Sequence, residues 1–195
     1  MLRRPTHLSL LAGLALLLAV AASGRAEEPI PRELNGVGLD NNLGNRIPLD
    51  LTFTGENGER VTLKKFFDAE QNRPVVLIPV YFSCPNLCSF TLNGVVDVLK
   101  QMKYTPGKEF EIVILSFDPT ETAQLAQAKK ANYIKAYGRP EAAAGWHFLV
   151  GDQQNIAKLM DALGFRYKYD KEHEQYFHSS ATYVLTPDGT ISRYF

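Results

Sequence analysis

The sequence predicts an α/β domain, a central sheet layered by helices. Two continuous β-branched and aromatic runs, "PVVLIPVYF" and "EFEIVILSF", are of the kind buried on both faces of a sheet. The segments after them carry apolar residues at helical spacing, and the order strand, helix, strand, helix, strand, helix closes on a hairpin.

Met1 to Ala26 reads as a secretory signal, with Arg3 and Arg4 ahead of an apolar core at Leu8–Ala22 and small residues around Gly24-Arg25-Ala26. That core is 15 residues long, whereas a spanning helix wants about 20, so cleavage is favoured over an N-terminal anchor. Residues 27–48, rich in Pro, Gly and Asn, form an expected extended leader, and residues 49–195 the domain itself. "LDLTFTGENGERVTL" suggests a hairpin turning at Asn57-Gly58 and covering one sheet edge. Pro74–Phe82 is the first buried strand, although Pro79 removes a ladder donor. Leu92, Val95, Val96 and Leu99 predict a helix from about Leu87 to Met102. Glu109–Phe117 is the second strand, and a helix follows with Glu121 early and Gly138 near its end. "WHFLV" predicts a short strand, with a turn at Gly151-Asp152 and a helix ending at Gly164. "SATYVLTPDGTISRYF" predicts two strands joined at Pro187-Asp188-Gly189.

Without the first 26 residues, 18 basic and 21 acidic side chains leave a net charge of −3, which gives no support to nucleic-acid binding. The 169 remaining residues suffice for one domain with a substantial core. Two cysteines cannot build a disulfide scaffold, so hydrophobic burial must hold the fold.

Cys84 and Cys88 fall where the first buried strand meets its helix. Open α/β sheets place their crevices at such carboxyl ends of strands, and a helix N-terminus favours thiolate over thiol. On a helix, this spacing puts both residues on one face with Cβ atoms about 5–6 Å apart. The usual redox dithiol, Cys-x-x-Cys, is one residue tighter. The wider bite suits a thiophilic metal. Zinc generally needs four ligands and iron–sulfur clusters more sulfur than two cysteines supply, whereas copper is satisfied by three. In an exported protein a disulfide is the competing reading, and a redox pair a further one. Among the histidines, His147 beside Trp146 reads as structural and His173 among charges as solvated. His178 precedes the strand "SATYVL" at the end of a loop that this fold order can bring over the cysteines. The residues alone leave it open between a metal ligand and an ordinary loop histidine.

The segments "VYFSCPNLC", "SFDPTET", "GWHFLVGD" and "FHSSATYVLTPDGTISRYF" together resemble the Sco/SenC family of copper-binding, thioredoxin-like proteins, over roughly Leu49–Phe195. The resemblance implies a thioredoxin-like fold with a central mixed sheet flanked by helices. It makes Cys84 and Cys88 thiolate ligands, His178 the imidazole ligand and Asp118 a supporting residue. An ordinary helix-capping role for Asp118 is an equal alternative. The resemblance further implies a periplasmic chaperone, soluble or attached to the inner membrane. Such a chaperone would hold one copper ion, Cu(I) or Cu(II), for the copper-accepting subunit of cytochrome c oxidase during assembly of its dinuclear centre, with a periplasmic thiol reductant as second partner. A thiol-disulfide reductase preparing the acceptor's cysteines is the alternative. Two departures stand out. Phe177 occupies the place of an Asp common before the family's histidine, and the family's C-terminal helix is expected to be missing after Phe195.

Overall fold

The structure, a computed structural model, describes Pro31, residues 34–67, Glu70 and residues 72–195. The expected export segment at residues 1–26 lies outside the described residues. Among the described residues ten strands are formed: β1 (Gly38–Leu39), β2 (Thr52–Gly55), β3 (Arg60–Thr62), β4 (Val75–Val80), β5 (Glu111–Ser116), β6 (Trp146–Val150), β7 (Phe165–Asp170), β8 (Gln175–His178), β9 (Tyr183–Leu185) and β10 (Ile191–Tyr194). The α-helices of the described residues are α1 (Leu87–Gln101), α2 (Ala123–Tyr137) and α3 (Gln153–Leu163).

Seven strands make the main sheet in the order β10-β9-β4-β5-β6-β2-β3. β4, β5 and β6 run parallel, while β9 and β2 flank them antiparallel. The sheet is therefore mixed, as the family resemblance implies, and the hairpin β2–β3 supplies one edge. Every residue of β5 is buried, as the unbroken apolar run requires. α3 buries Ile156, Leu159, Met160 and Leu163, the stripe that i, i+3, i+4, i+7 spacing gives. Its Asp152 cap accepts a hydrogen bond from the Asn155 N–H, and Gly164 ends it at φ 70°.

Pro79 sits inside β4, where a proline ordinarily breaks the ladder. The carbonyls of Pro74 and Val80 accept from Glu111 and Phe117 on the β5 side. By alternation, Pro79 turns toward β9, whose pairing with β4 ends at Leu77. The missing donor thus faces a position where no strand partner waits.

Residues 165–178, expected as a loop, instead form the hairpin β7–β8, and β1 completes a separate three-stranded sheet in the order β1-β7-β8. The chemistry is period-two: Phe165, Tyr167 and Tyr169 alternate with Arg166, Lys168 and Asp170. Phe117 joins the two sheets. It is fully buried, with ring centroids at 4.7 Å from Tyr167, 5.4 Å from Tyr176 and 5.5 Å from both Tyr81 and Phe165.

Truncating Phe117→Ala removes this shared ring, and urea unfolding is expected to show a loss of about 3–5 kcal/mol. A loss under about 1 kcal/mol would mean that the hairpin does not depend on it.

Candidate metal centre

β4 ends at Val80, α1 begins at Leu87, and the six residues between them carry the first cysteine. Cys88 lies in the first turn of α1, while Cys84 precedes the helix, so the pair does not share a helical face as the spacing alone suggested. The turn is closed by the Cys84 N–H donating to the Tyr81 carbonyl at 3.2 Å. The side chain of Asn86, the capping residue of α1, makes no capping hydrogen bond. The Cys88 N–H reaches Cys84 Sγ at 3.5 Å, so a sulfur takes the part of the capping oxygen. Tyr81 N–H donates to Cys88 Sγ at 3.3 Å.

His178 is the last residue of β8, so it stands on a strand rather than on the loop the sequence suggested. Its ring packs edge-on against Tyr81 and Phe117, with centroids 5.6 and 5.1 Å away. The Ser180 hydroxyl bonds Thr91 Oγ1 at 2.7 Å and ties the segment after it to α1. Nδ1 lies 2.8 Å from the Ser179 carbonyl, which can only accept, so Nδ1 carries the proton. Nε2 is left with a free lone pair, 3.7 Å from Cys88 Sγ.

One ligand atom from each of Cys84, Cys88 and His178 falls within 4.8 Å of the others. Bonds of about 2.3 Å to sulfur and 2.0 Å to nitrogen around a trigonal ion place sulfur and nitrogen roughly 3.7 Å apart. The Cys88–His178 edge already has that length. Both thiols are free. The donor set, two sulfurs and one imidazole, suits a soft cation better than one that needs oxygen ligands.

The sulfurs are electrostatically unequal. Burial pushes the Cys84 thiol up, but the N–H groups of Cys88 and Asn86 and the Tyr81 hydroxyl outweigh it, and the net shift is downward. Cys88 is pushed strongly up, first by burial and then by the neighbouring Cys84 charge. Burial also lowers His178, keeping the imidazole neutral and available as a ligand. Cys84 is 8 % exposed and Cys88 4 %, so access favours Cys84 as well.

Asp118 does not cap α2. Its Oδ1 accepts from the Thr120 N–H and hydroxyl, and Thr122 Oγ1 is the cap, accepting from Leu125. Asp118 faces the Tyr176 hydroxyl instead, one aromatic layer behind the cysteines and His178. His147 meets Glu111 at 2.9 Å and packs at a tilt against Phe66, at the amino ends of the parallel strands and away from the cysteines. His173 is exposed and pairs with Asp170 at 2.6 Å. Sequence reasoning missed Tyr81, which touches all three candidate ligands, and Glu121, whose carboxylate grips the cysteine loop.

Comparison with known proteins gives a consistent set of likenesses. The family model described as SCO1/SenC matches residues 40–195. "Protein SCO2 homolog, mitochondrial" of Bos taurus is 26% identical over 126 residues, covering 62% of this chain and 44% of that protein, so less than half of the relative's length is matched. A crystal structure from Aquifex aeolicus VF5 is 27% identical with a TM-score of 0.66, covering 78% of this chain and 83% of the other. The structure of Bradyrhizobium japonicum ScoI with copper bound superposes with a TM-score of 0.56 at 24% identity, covering 78% and 88%, a likeness of fold.

Iodoacetamide under reducing conditions near pH 7 is expected to label Cys84 well before Cys88 in peptide mass analysis, because the thiolate reacts and Cys84 is the lower and more accessible of the two. Equal rates would contradict the asymmetry. His178 resists protonation when folded, so the unfolded chain gains protons first as pH falls below about 6.5. The contribution of His178 is thus intact above that pH and shrinks as pH falls toward its folded value. A His178→Gln variant should lose less stability than the wild type between pH 7 and 5 in denaturant titrations. Parallel curves would refute this.

Proposed function

Because the chain belongs to the SCO1/SenC family, we propose that it is a copper chaperone that carries one copper ion on Cys84, Cys88 and His178 and delivers it to the copper-accepting subunit of cytochrome c oxidase. The observation that carries this reading is the meeting of two free thiols and one neutral imidazole, their ligand atoms within 4.8 Å. Thiolate ligands select Cu(I), and three donors satisfy it. The copper-bound Bradyrhizobium japonicum structure of the same fold supports the choice of cargo.

Delivery then proceeds by ligand exchange. Cys84 is the more accessible sulfur and already the better thiolate, so an incoming partner thiolate meets the site on its side. Cys88, deeper and held by the Tyr81 N–H, is the last to let go. Oxidation of the pair to a disulfide removes both sulfur donors and couples delivery to redox state. The apolar N-terminal run at Leu8–Ala22 supports export to the periplasm, where such a pair needs a thiol reductant to stay loadable.

The unequal thiols also support a second reading, a thiol-disulfide reductase in which Cys84 attacks and Cys88 resolves. The two readings differ in their need for His178. In anaerobic, reduced protein we expect one equivalent of Cu(I) to bind. Replacing Cys84 or Cys88 with Ser should abolish tight uptake, and His178→Ala should weaken it at least about tenfold, no less than loss of an outer-shell partner. His178→Ala should leave the rate of disulfide reduction within about twofold. If copper affinity is indifferent to His178→Ala, the chaperone reading fails and the reductase stands.

A further inference from the structure

β4 and β5 end side by side, and past Val80 the chain no longer has a ladder partner for its N–H groups. Phe82 N–H donates to Glu121 Oε2 at 2.7 Å, and Ser83 N–H to Oε1 at 2.6 Å. Ser83 Oγ adds a bond to Oε1 at 2.5 Å, and the fully buried Ser116 Oγ one to Oε2 at 2.6 Å. Asp118 N–H in turn donates to Ser116 Oγ at 3.1 Å. One carboxylate therefore accepts four hydrogen bonds and fastens the residues immediately before Cys84 to the end of the neighbouring strand.

This placement is costly in charge. A carboxylate near two sulfurs opposes their thiolate forms, and Glu121 does so toward Cys88. A neutral residue would serve the sulfurs better electrostatically. Only a carboxylate, with two acceptor oxygens and no donor, can receive two consecutive backbone N–H groups and two hydroxyls at once. The benefit of Glu121 is therefore geometric.

We propose that Glu121 is a positioning residue that holds the Phe82–Ser83 backbone so that Cys84 stands in register with Cys88 and His178 before any metal arrives. The proposal rests on the copper reading only for its second measurement.

In metal-free protein, Glu121→Gln turns an NH2 group toward donors and should raise hydrogen exchange of the Phe82, Ser83 and Cys84 amides at least tenfold, with the amides of α2 unchanged. Unchanged exchange at Cys84 overturns the proposal whatever the protein binds. In Cu(I) competition with a chromogenic chelator, Glu121→Gln should lower affinity about 10–100-fold, the usual cost of losing an outer-shell partner. Charge alone predicts the opposite sign, since the substitution removes a negative neighbour, so unchanged or higher affinity also overturns it. Thr122→Ala, which uncaps α2 without touching the loop, should leave Cu(I) affinity within twofold. A comparable drop there would reduce Glu121 to a general stability effect. Ser116→Ala, which frees the carboxylate without altering it, should give a smaller loss in the same direction. Failure of the wild type itself to take up Cu(I) would sink the chaperone reading, and the exchange measurement would still decide the role of Glu121.

Discussion

Each backbone N–H stranded where β4 gives way to α1 must find an acceptor, and this requirement shapes the centre. Five donors between Tyr81 and Cys88 are accounted for without a strand partner. Tyr81 gives to a sulfur, Phe82 and Ser83 to a carboxylate, Cys84 to a carbonyl of its own turn, and Cys88 to the other sulfur. Apart from that carbonyl, the acceptors that make these bonds are a carboxylate and two polarizable sulfurs. The thiols are thereby drawn into the backbone's hydrogen-bonding scheme, which favours thiolate at Cys84 and fixes where both sulfurs point.

The imidazole arrives by a different route. Sequence places His178 90 residues from Cys88, and only the hairpin β7–β8 brings it across. Its ring is held by aromatic edges at Tyr81 and Phe117 and by the Nδ1 bond to Ser179. Burial deprives the protonated form of solvent, so the ring stays neutral with Nε2 aimed at the sulfurs. Orientation and protonation state are thus set by one environment, as outer-shell partners of metal-binding histidines ordinarily do.

The parts of this arrangement that obey local rules were legible in the sequence. The buried strands, the turn at Gly151-Asp152 and the helix end at Gly164, the terminal hairpin, the cysteine pair at a strand's end and His178 all follow from composition, period or spacing, or from the family resemblance that joins them. The hairpin β7–β8 was also written there, in Phe-Arg-Tyr-Lys-Tyr-Asp, but charges on the outer face disguised a strand as a loop. Glu121 was not legible. In sequence it is one acid ahead of a helix, where acids favour the macrodipole. Its function arises because two strands 36 positions apart in register end side by side, a fact of topology that no local pattern encodes.

The two sheets meet around Phe117, and the candidate metal site lies beside it. Cys84 and Cys88 belong to the main sheet and its helix, His178 to the smaller sheet, and Phe117 and Tyr81 are packed between. An ion bound by all three side chains would cross-link elements that also meet through aromatic contacts, the Tyr176 hydroxyl facing Asp118 and the Thr91–Ser180 hydrogen bond. Binding to the folded state alone adds to its stability by mass action, so under the proposed copper role loading would tighten the hairpin against the cysteine loop and release would loosen it. Under the proposed carrier role, release begins at Cys84, and His178, mounted on a four-residue strand, is placed to yield next, since it belongs neither to the parallel sheet nor to the carboxylate contacts that fix the cysteine loop.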